Sequence, residues 1–491
     1  MVDKTARHMR WHIEGIRRDP NLITHPSDAE AWKKFDVSHP NFASEIRNVR
    51  LGLSTVGFNP FENSSVLVTC WPVFITLYNL PPSMCMKRTS IFLTLVIPGP
   101  NSPKKHLDVY LRPLVDELKI LWDEGVFTFD AYKKQNFLMR ASLLWTISDF
   151  PAYGMLSGWS TQGRLACPIC MERTKSFYLK NGGKCCWFDC HQQFLPMDHR
   201  FGRNKNDFKK GIVEKSPPPL RLSGIEVKTR VFKHPQITFS RKSGRQKHRG
   251  FGKNHNWTKR SIFLELSYWE TNLIRYNLDV MHIEKNVFDN VFKTLMNVKE
   301  KTKDNPKAHE DLRLLCKRPE LELYKHGDKL MKPKAVYVLT DDQIKEVCEW
   351  LKQLRFPDGY VSNIARCVNV TEKKLYSMKS HDCHVFLQRL LPLATRDFLP
   401  KPIWGALAEL SHFGVDICST EIQADHMLQL EADIVEILFV LFDGGIMEEV
   451  NLNELTPRTK KRTRNELQEN VDVGDDDDDI NDEEDEAEEA E

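Results

Sequence analysis

The stretch ASLLWTISDFPAYG, residues 141–154, decides how the chain is read. Its apolar and β-branched residues run unbroken to Ser148, and Pro151 cannot continue a hydrogen-bonded ladder. The segment therefore predicts a buried strand that ends at Asp149. An acid at the tip of such a strand can cap the turn before Pro151. It can also be a carboxylate held out at the sheet edge for chemistry. The strand beside it decides between the two.

Upstream, the runs LGLSTVGF (51–58), PVFITLYNL (72–80) and SIFLTLVIPGP (90–100) are β-branched and apolar, with turn residues between them. Leu107, Tyr110, Leu111, Leu114, Val115, Leu118, Leu121 and Trp122 then recur at helical spacing. A second helix is expected over residues 129–140, ahead of the strand that ends at Asp149. Three strands in a meander, then a helix, then a strand returning to pair with the first is the ribonuclease H-like arrangement. There the first and fourth strands lie side by side. Carboxylates at their ends can share two divalent ions roughly 3.5–4 Å apart, which stabilise the attacking and leaving oxygens of a phosphoryl displacement. The position facing Asp149 on the first strand is Val56, an apolar residue where that chemistry wants an acid.

Composition places the chain among globular proteins: 491 residues, 41% hydrophobic and 28% charged, long enough for two or three domains. No window approaches the ~18 apolar residues of a membrane span, and the first twenty residues lack a signal-peptide core. A soluble intracellular protein without a membrane partner is expected, its twelve cysteines reduced or on metal. The net charge of +2 conceals an asymmetry. Residues 472–491 hold fourteen acids and no Lys or Arg, which leaves +16 on the preceding 471 residues. That acidic block predicts disorder. The cluster PRTKKRTR (457–464) before it reads as a nuclear-import or nucleic-acid patch, or as a solvated charge run.

Cys167 and Cys170 have the C-x-x-C spacing that lets two thiolates share a tetrahedral zinc. Cys185, Cys186, Cys190, His191 and His199 follow as candidates for the remaining ligands, and His191 and His199 are taken to complete the set. Residues 201–260 carry seventeen Lys and Arg against three acids and predict a basic linker or arm without a packed core. From Trp257 onward the chain reads as helical. One amphipathic helix has Val280, Ile283, Val287, Phe288, Val291, Leu295 and Val298 on one side, and Thr340 N-caps another. Asp279 and Glu284 could be functional or form a polar helix back. His381 and His384 could bind metal or be a buried pair. No phosphate-binding loop, dinucleotide fingerprint or nucleophile elbow is present, so nucleotide hydrolysis and serine hydrolase chemistry lack support and no small-molecule substrate is expected.

Seven segments closely resemble the transposases of plant CACTA (En/Spm) DNA transposons. They are MRWHIEG, HPNFASEIRNVRLGLSTVGFNPF, WPVFITLYNLPPSMCMKR, DVYLRPLVDELKILWDEGV, LLWTISDFPAYGMLSGWSTQGRLACPIC, RYNLDVMHIEKNVFDN and MKSHDCHVFLQRLLP, and they span most of residues 5–420. The resemblance implies a ribonuclease H-like catalytic domain with three metal-binding acids, Mg²⁺-dependent cleavage and transfer of DNA strands, and a helical insertion. Its second acid falls on Asp149 and its zinc-binding C-x-x-C on Cys167 and Cys170. Its first acid falls on Val56. The resemblance fades near Thr420, before the histidine pair and the last glutamate the family carries, so both are expected to be missing, with Glu284 as the fallback acid. The chain also joins the family pattern abruptly at its start.

The expected organisation is α/β: a polar segment (1–50), a ribonuclease H-like core (51–160), a Cys/His-rich zinc segment (161–200), a basic arm (201–260), a helical region (261–450) and a disordered tail (451–491). The expected function is a nuclear, DNA-binding, transposase-like protein in a truncated and degenerate form without catalysis. The alternatives are an active Mg²⁺-dependent transposase and an inert relic.

Overall fold

The computed structural model describes residues 3–443, except 16–18, 60–68, 188, 197, 205–210, 236–248, 300, 328, 334, 358–359 and 361–362. The chain divides into two units, Met1–Thr456 and Pro457–Glu491, and every described residue lies in the first. The basic cluster at 457–464 and the acidic block lie outside the described residues.

The centre is a mixed five-stranded sheet. Strands β1 (Val49–Thr55), β2 (Trp71–Leu77) and β3 (Ile91–Ile97) form an antiparallel meander. Helix α1 (Glu30–Ser38) precedes it and α2 (Leu107–Asp123) follows. The chain then returns as β6 (Ala141–Ser148), which pairs parallel with β1. A short strand, β7 (Tyr276–Leu278), pairs parallel with the far side of β6, so the sheet order is β7-β6-β1-β2-β3. β1 and β6 are buried along almost their whole length, which is why both read as unbroken apolar runs. Helix α2 packs Leu107, Leu111, Val115 and Leu118 into the core shared with the sheet, while Tyr110 faces solvent. Gly52 in β1 is required by close approach, because a Cβ there would lie 2.3 Å from the Tyr78 hydroxyl.

The helix expected over residues 129–140 is instead a hairpin, β4 (Val126–Asp130) and β5 (Gln135–Met139). Its turn explains the difference. The buried Asp130 carboxylate accepts from the Tyr132 and Lys133 amides at 3.0 and 3.1 Å and from Arg47 at 3.2 Å. Lys134 takes φ +54°. This side-chain-to-backbone bonding competes with helix. The fifth strand was hidden for another reason: three residues are too few to show a period.

The sheet core also buries a charge. Arg50 in β1 is 1% exposed, bonds Asp36 of α1 at 2.6 Å and lies over the Trp32 ring. His12 sits 3.4 Å from the same guanidinium. Burial first, then the Arg50 and His25 charges, push His12 down from 6.5 to about 3. The unfolded chain protonates near 6.5, so the neutral imidazole's contribution is fully present above that pH. It is lost as pH falls from 6.5 toward 3. Replacing His12 by Asn should flatten the profile of unfolding free energy against pH across that window by on the order of 2 kcal/mol, as read by urea titrations. An unchanged slope would contradict this account.

A second core is helical. Helix α5 (Val280–Leu295) meets α6 (Asp341–Gln353), α7 (Ser380–Val385), α8 (Lys401–Ile417) and α9 (Ala424–Asp443) around Phe288, Phe292, Leu351, Phe386 and Leu407. Thr340 N-caps α6 in a capping box with Gln343. The buried face of α5 is rotated from the expected one: Glu284, Phe288, Val291, Phe292 and Leu295 point inward, and Ile283 is exposed. Parts of 201–260 also pack, contrary to expectation. Helix α4 (Gly224–Phe232) places Val227 and Val231 in a small core with Trp159, Leu165, Met171 and Trp257. Among the described residues no helix is long and apolar enough to cross a membrane.

Candidate functional site

The three parallel strands end in one row. Thr55 pairs with Ser148, and Ser148 with Leu278, so the next residues out are Val56, Asp149 and Asp279. Polar groups at the carboxyl ends of neighbouring parallel strands form the usual ligand crevice of an open α/β sheet. Asp149 caps helix α3 (Phe150–Ser157), its Oδ1 accepting from the Ala152 amide at 2.8 Å. The capping role is thus real, and it leaves the second carboxylate oxygen uncommitted by that bond. Asp279 caps α5, accepts from the Met281 amide at 3.0 Å, and donates its own N–H to the Ser148 carbonyl at 2.8 Å. Its Oδ2 accepts from His282 Nδ1 at 2.8 Å.

The environments drive the two acids apart. Burial raises Asp149, and the Asp279 charge adds to the rise against the Ala152 amide and His282. Burial also pushes Asp279 upward, but the hydrogen bond and charge of His282 and the Met281 and His282 amides outweigh it and hold it below the usual range. Two carboxylates with separated proton affinities can share one cation or divide acid and base roles. Val56 offers no oxygen to this row, and a hard divalent ion takes oxygen ligands. Sequence reasoning left Asp279 as either functional or part of a polar helix back and did not place it in this row, because the three-residue strand before it left no signal.

Glu284 takes no place in that row. Its buried carboxylate is hydrogen-bonded to His384 Nδ1 and accepts from Gln388 Nε2 at 2.8 Å, and Cys418 Sγ lies 3.9 Å away. Gln388 belongs to a π-helical turn, Phe386–Leu390, and also donates to the Gly414 carbonyl at 2.8 Å. Such turns recur at functional positions in helices. Glu284, His384 and Cys418 place ligand atoms within 4.8 Å of one another and could hold a metal ion. Partial desolvation and the Glu284 carboxylate push the Cys418 thiol up to about 11, and the Asp279 charge adds to it. This thiol is therefore no activated nucleophile. The His381 ring lies tilted 5.8 Å from that of His384, centroid to centroid, and stays outside the group.

Of the zinc set expected at Cys167, Cys170, His191 and His199, the described side chains bring the two cysteines together but not His199 to them. Cys167 Sγ accepts the Cys170 amide at 3.3 Å. The Cys170 thiol, then the Cys170 and Ile169 amides, bring Cys167 down to about 7 despite burial, while the same coupling raises Cys170. The pair as it stands therefore holds one negative sulfur shared through a hydrogen bond, whereas a zinc ion would take both as thiolates. His199 is engaged elsewhere, 3.7 Å from Glu436 and accepting from the Phe201 amide. The described residues bring no third ligand within 4.8 Å of both sulfurs. The side chain of His191 lies outside the described residues.

No curated protein matches the chain. Residues 20–233 match the family model described as "Transposase family tnp2". That span carries four of the five sheet strands, β1, β2, β3 and β6, with Val56, Asp149 and the Cys167–Cys170 turn, and it stops before Asp279 and Glu284. Over those residues, less than half of the chain, the sequence is similar to that transposase family.

Proposed function

We propose that the chain is a CACTA-type, transposase-like DNA-binding protein whose sheet is ribonuclease H-like and whose metal row is incomplete. The row Val56–Asp149–Asp279 carries this reading: three adjacent strand ends in register, two with carboxylates and one with valine. A site that has lost one shared carboxylate binds divalent ions poorly and loses most of its strand-cleaving activity. DNA is the partner, held by the +16 body through salt-sensitive phosphate contacts. The basic cluster at 457–464 suits import into the nucleus. Cys167 and Cys170 supply half of a structural zinc site, whose remaining ligands would come from chain outside the described side chains.

The test is Mg²⁺- or Mn²⁺-dependent nicking of a DNA duplex by the purified protein beside Val56→Asp. The wild type is expected to show no metal-dependent nicking, and the variant to gain it by at least about a hundredfold over background, as removal or restoration of a metal-site charge does in phosphoryl transfer. Cleavage by the wild type would sink the inactive reading. Inactivity of both proteins, with no gain in divalent-ion affinity for the variant, would sink the assignment of the row.

A further inference from the structure

Between the Cys167–Cys170 turn, the approach to α4 and the start of β7 lies a cleft with no acidic side chain in its lining. Arg221 and Arg275 line it together with Tyr153, Trp257, Trp269 and Tyr276. Arg275 donates only to the Asn272 carbonyl, at 2.9 Å, and among the described residues neither arginine has a carboxylate partner. Trp257 is 2% exposed, and among the described residues its Nε1–H has no acceptor, while the Trp269 side chain bonds Tyr276. A buried donor left unpaired calls for an explanation, and a bound acceptor is one. Burial lowers Arg275, and against the two tyrosines the neighbouring Arg221 charge lowers it further, so the two cations repel. The Tyr276 phenol, raised to about 12 by burial, stays protonated and donates to Ser261 at 2.9 Å. Ile169 and Leu273, about half exposed, give the cleft an apolar rim.

We propose that this cleft binds a phosphate group, clasped between the Arg221 and Arg275 guanidiniums. Two planar guanidiniums match the oxygens of a tetrahedral phosphate, the apolar rim suits a sugar or base beside it, and the basic run at 201–260 favours a polyanion as its source. The phosphate would belong to a nucleic-acid strand, and that identification rests on the DNA-binding reading above. The presence of an anion site does not.

Binding of inorganic pyrophosphate by calorimetry, and of a short labelled single-stranded oligonucleotide by fluorescence polarisation, tests the proposal on the full chain. Arg221 is exposed, so Arg221→Gln should keep the fold, and Lys104→Gln serves as a charge-matched control. Arg221→Gln is expected to weaken both ligands at least about tenfold and to reduce the slope of log affinity against log salt by about one for the oligonucleotide. The control should stay within about twofold. Weakening of pyrophosphate alone would support the anion site and assign it to free phosphates. Unchanged affinity for both ligands would overturn the site, and intact oligonucleotide binding in that case would leave the DNA-binding reading standing.

Discussion

In Gly414→Ala the unfolding free energy in urea is expected to fall by about 3 kcal/mol, the scale of a buried charged pair losing its partner. Gly405→Ala, on the same helix α8, should leave stability unchanged or raise it by up to about 1 kcal/mol, the intrinsic helix preference of alanine over glycine. The two sites differ in what the added methyl meets. At Gly405 nothing lies within 4 Å of the new Cβ. At Gly414 it would stand 2.6 Å from Glu284 Oε1 and 3.3 Å from Gln388 Cγ. Glu284 cannot swing out to water, because it is buried on the inward face of α5 and held by His384 and Gln388. Displacing it strands a carboxylate in the helical core and breaks the Gln388 bridge to the Gly414 carbonyl. If Glu284, His384 and Cys418 hold a metal, the loss should grow when the wild type is measured with Zn²⁺ present, since a ligand bound only by the folded state adds to its stability. Equal effects at the two glycines would mean that Glu284 is not confined as described.

What the sequence disclosed follows the length of its signals. The meander and the strand returning beside the first were legible, because β1, β2, β3 and β6 are runs of seven or eight β-branched and apolar residues, and such runs stand out against turn residues. Asp149 and Val56 were singled out for the same reason, as both lie at the ends of these runs. The third position of the row was not. Tyr276–Leu278 spans only three residues, and Asp279 read as the start of a helix, which it also is. Periodicity located α5, but it placed Ile283 inside and Glu284 outside. The pattern counts apolar residues, whereas Glu284 is buried because His384 and Gln388, one hundred or more positions away, satisfy it. Partners so distant leave no mark on local sequence. The hairpin at 126–139 failed on a different point, since its turn is built by one aspartate bonding two amides.

Substituting Lys259 by Met should cost about 3–5 kcal/mol, the range for removing one member of a buried ion pair. This residue belongs to the segment whose composition argued against packing, yet it is 2% exposed. Seventeen basic residues make 201–260 look solvated, and composition cannot say which one meets an acid. Here Lys259 Nζ bonds Asp108 Oδ1 at 2.6 Å, at the start of helix α2. The Lys259 backbone closes the same junction from the other side: a Cβ on Gly158, which has φ +81° after helix α3, would lie 2.4 Å from its carbonyl oxygen. Burial raises the Asp108 carboxyl and lowers the Lys259 ammonium, and each partner's charge opposes the shift of the other. Removing the lysine leaves a largely buried acid with only the Arg112 charge and the Ile262 amide to offset its desolvation. Asp108→Asn combined with Lys259→Met should therefore recover at least half of the loss, because a neutral pair of similar volume avoids the desolvation that the single variant exposes. Thermal and urea unfolding of the four proteins in the cycle decide the matter. A single-variant loss below about 1 kcal/mol, the scale of an exposed pair, would show that residues 257–260 are not docked on α2 in solution.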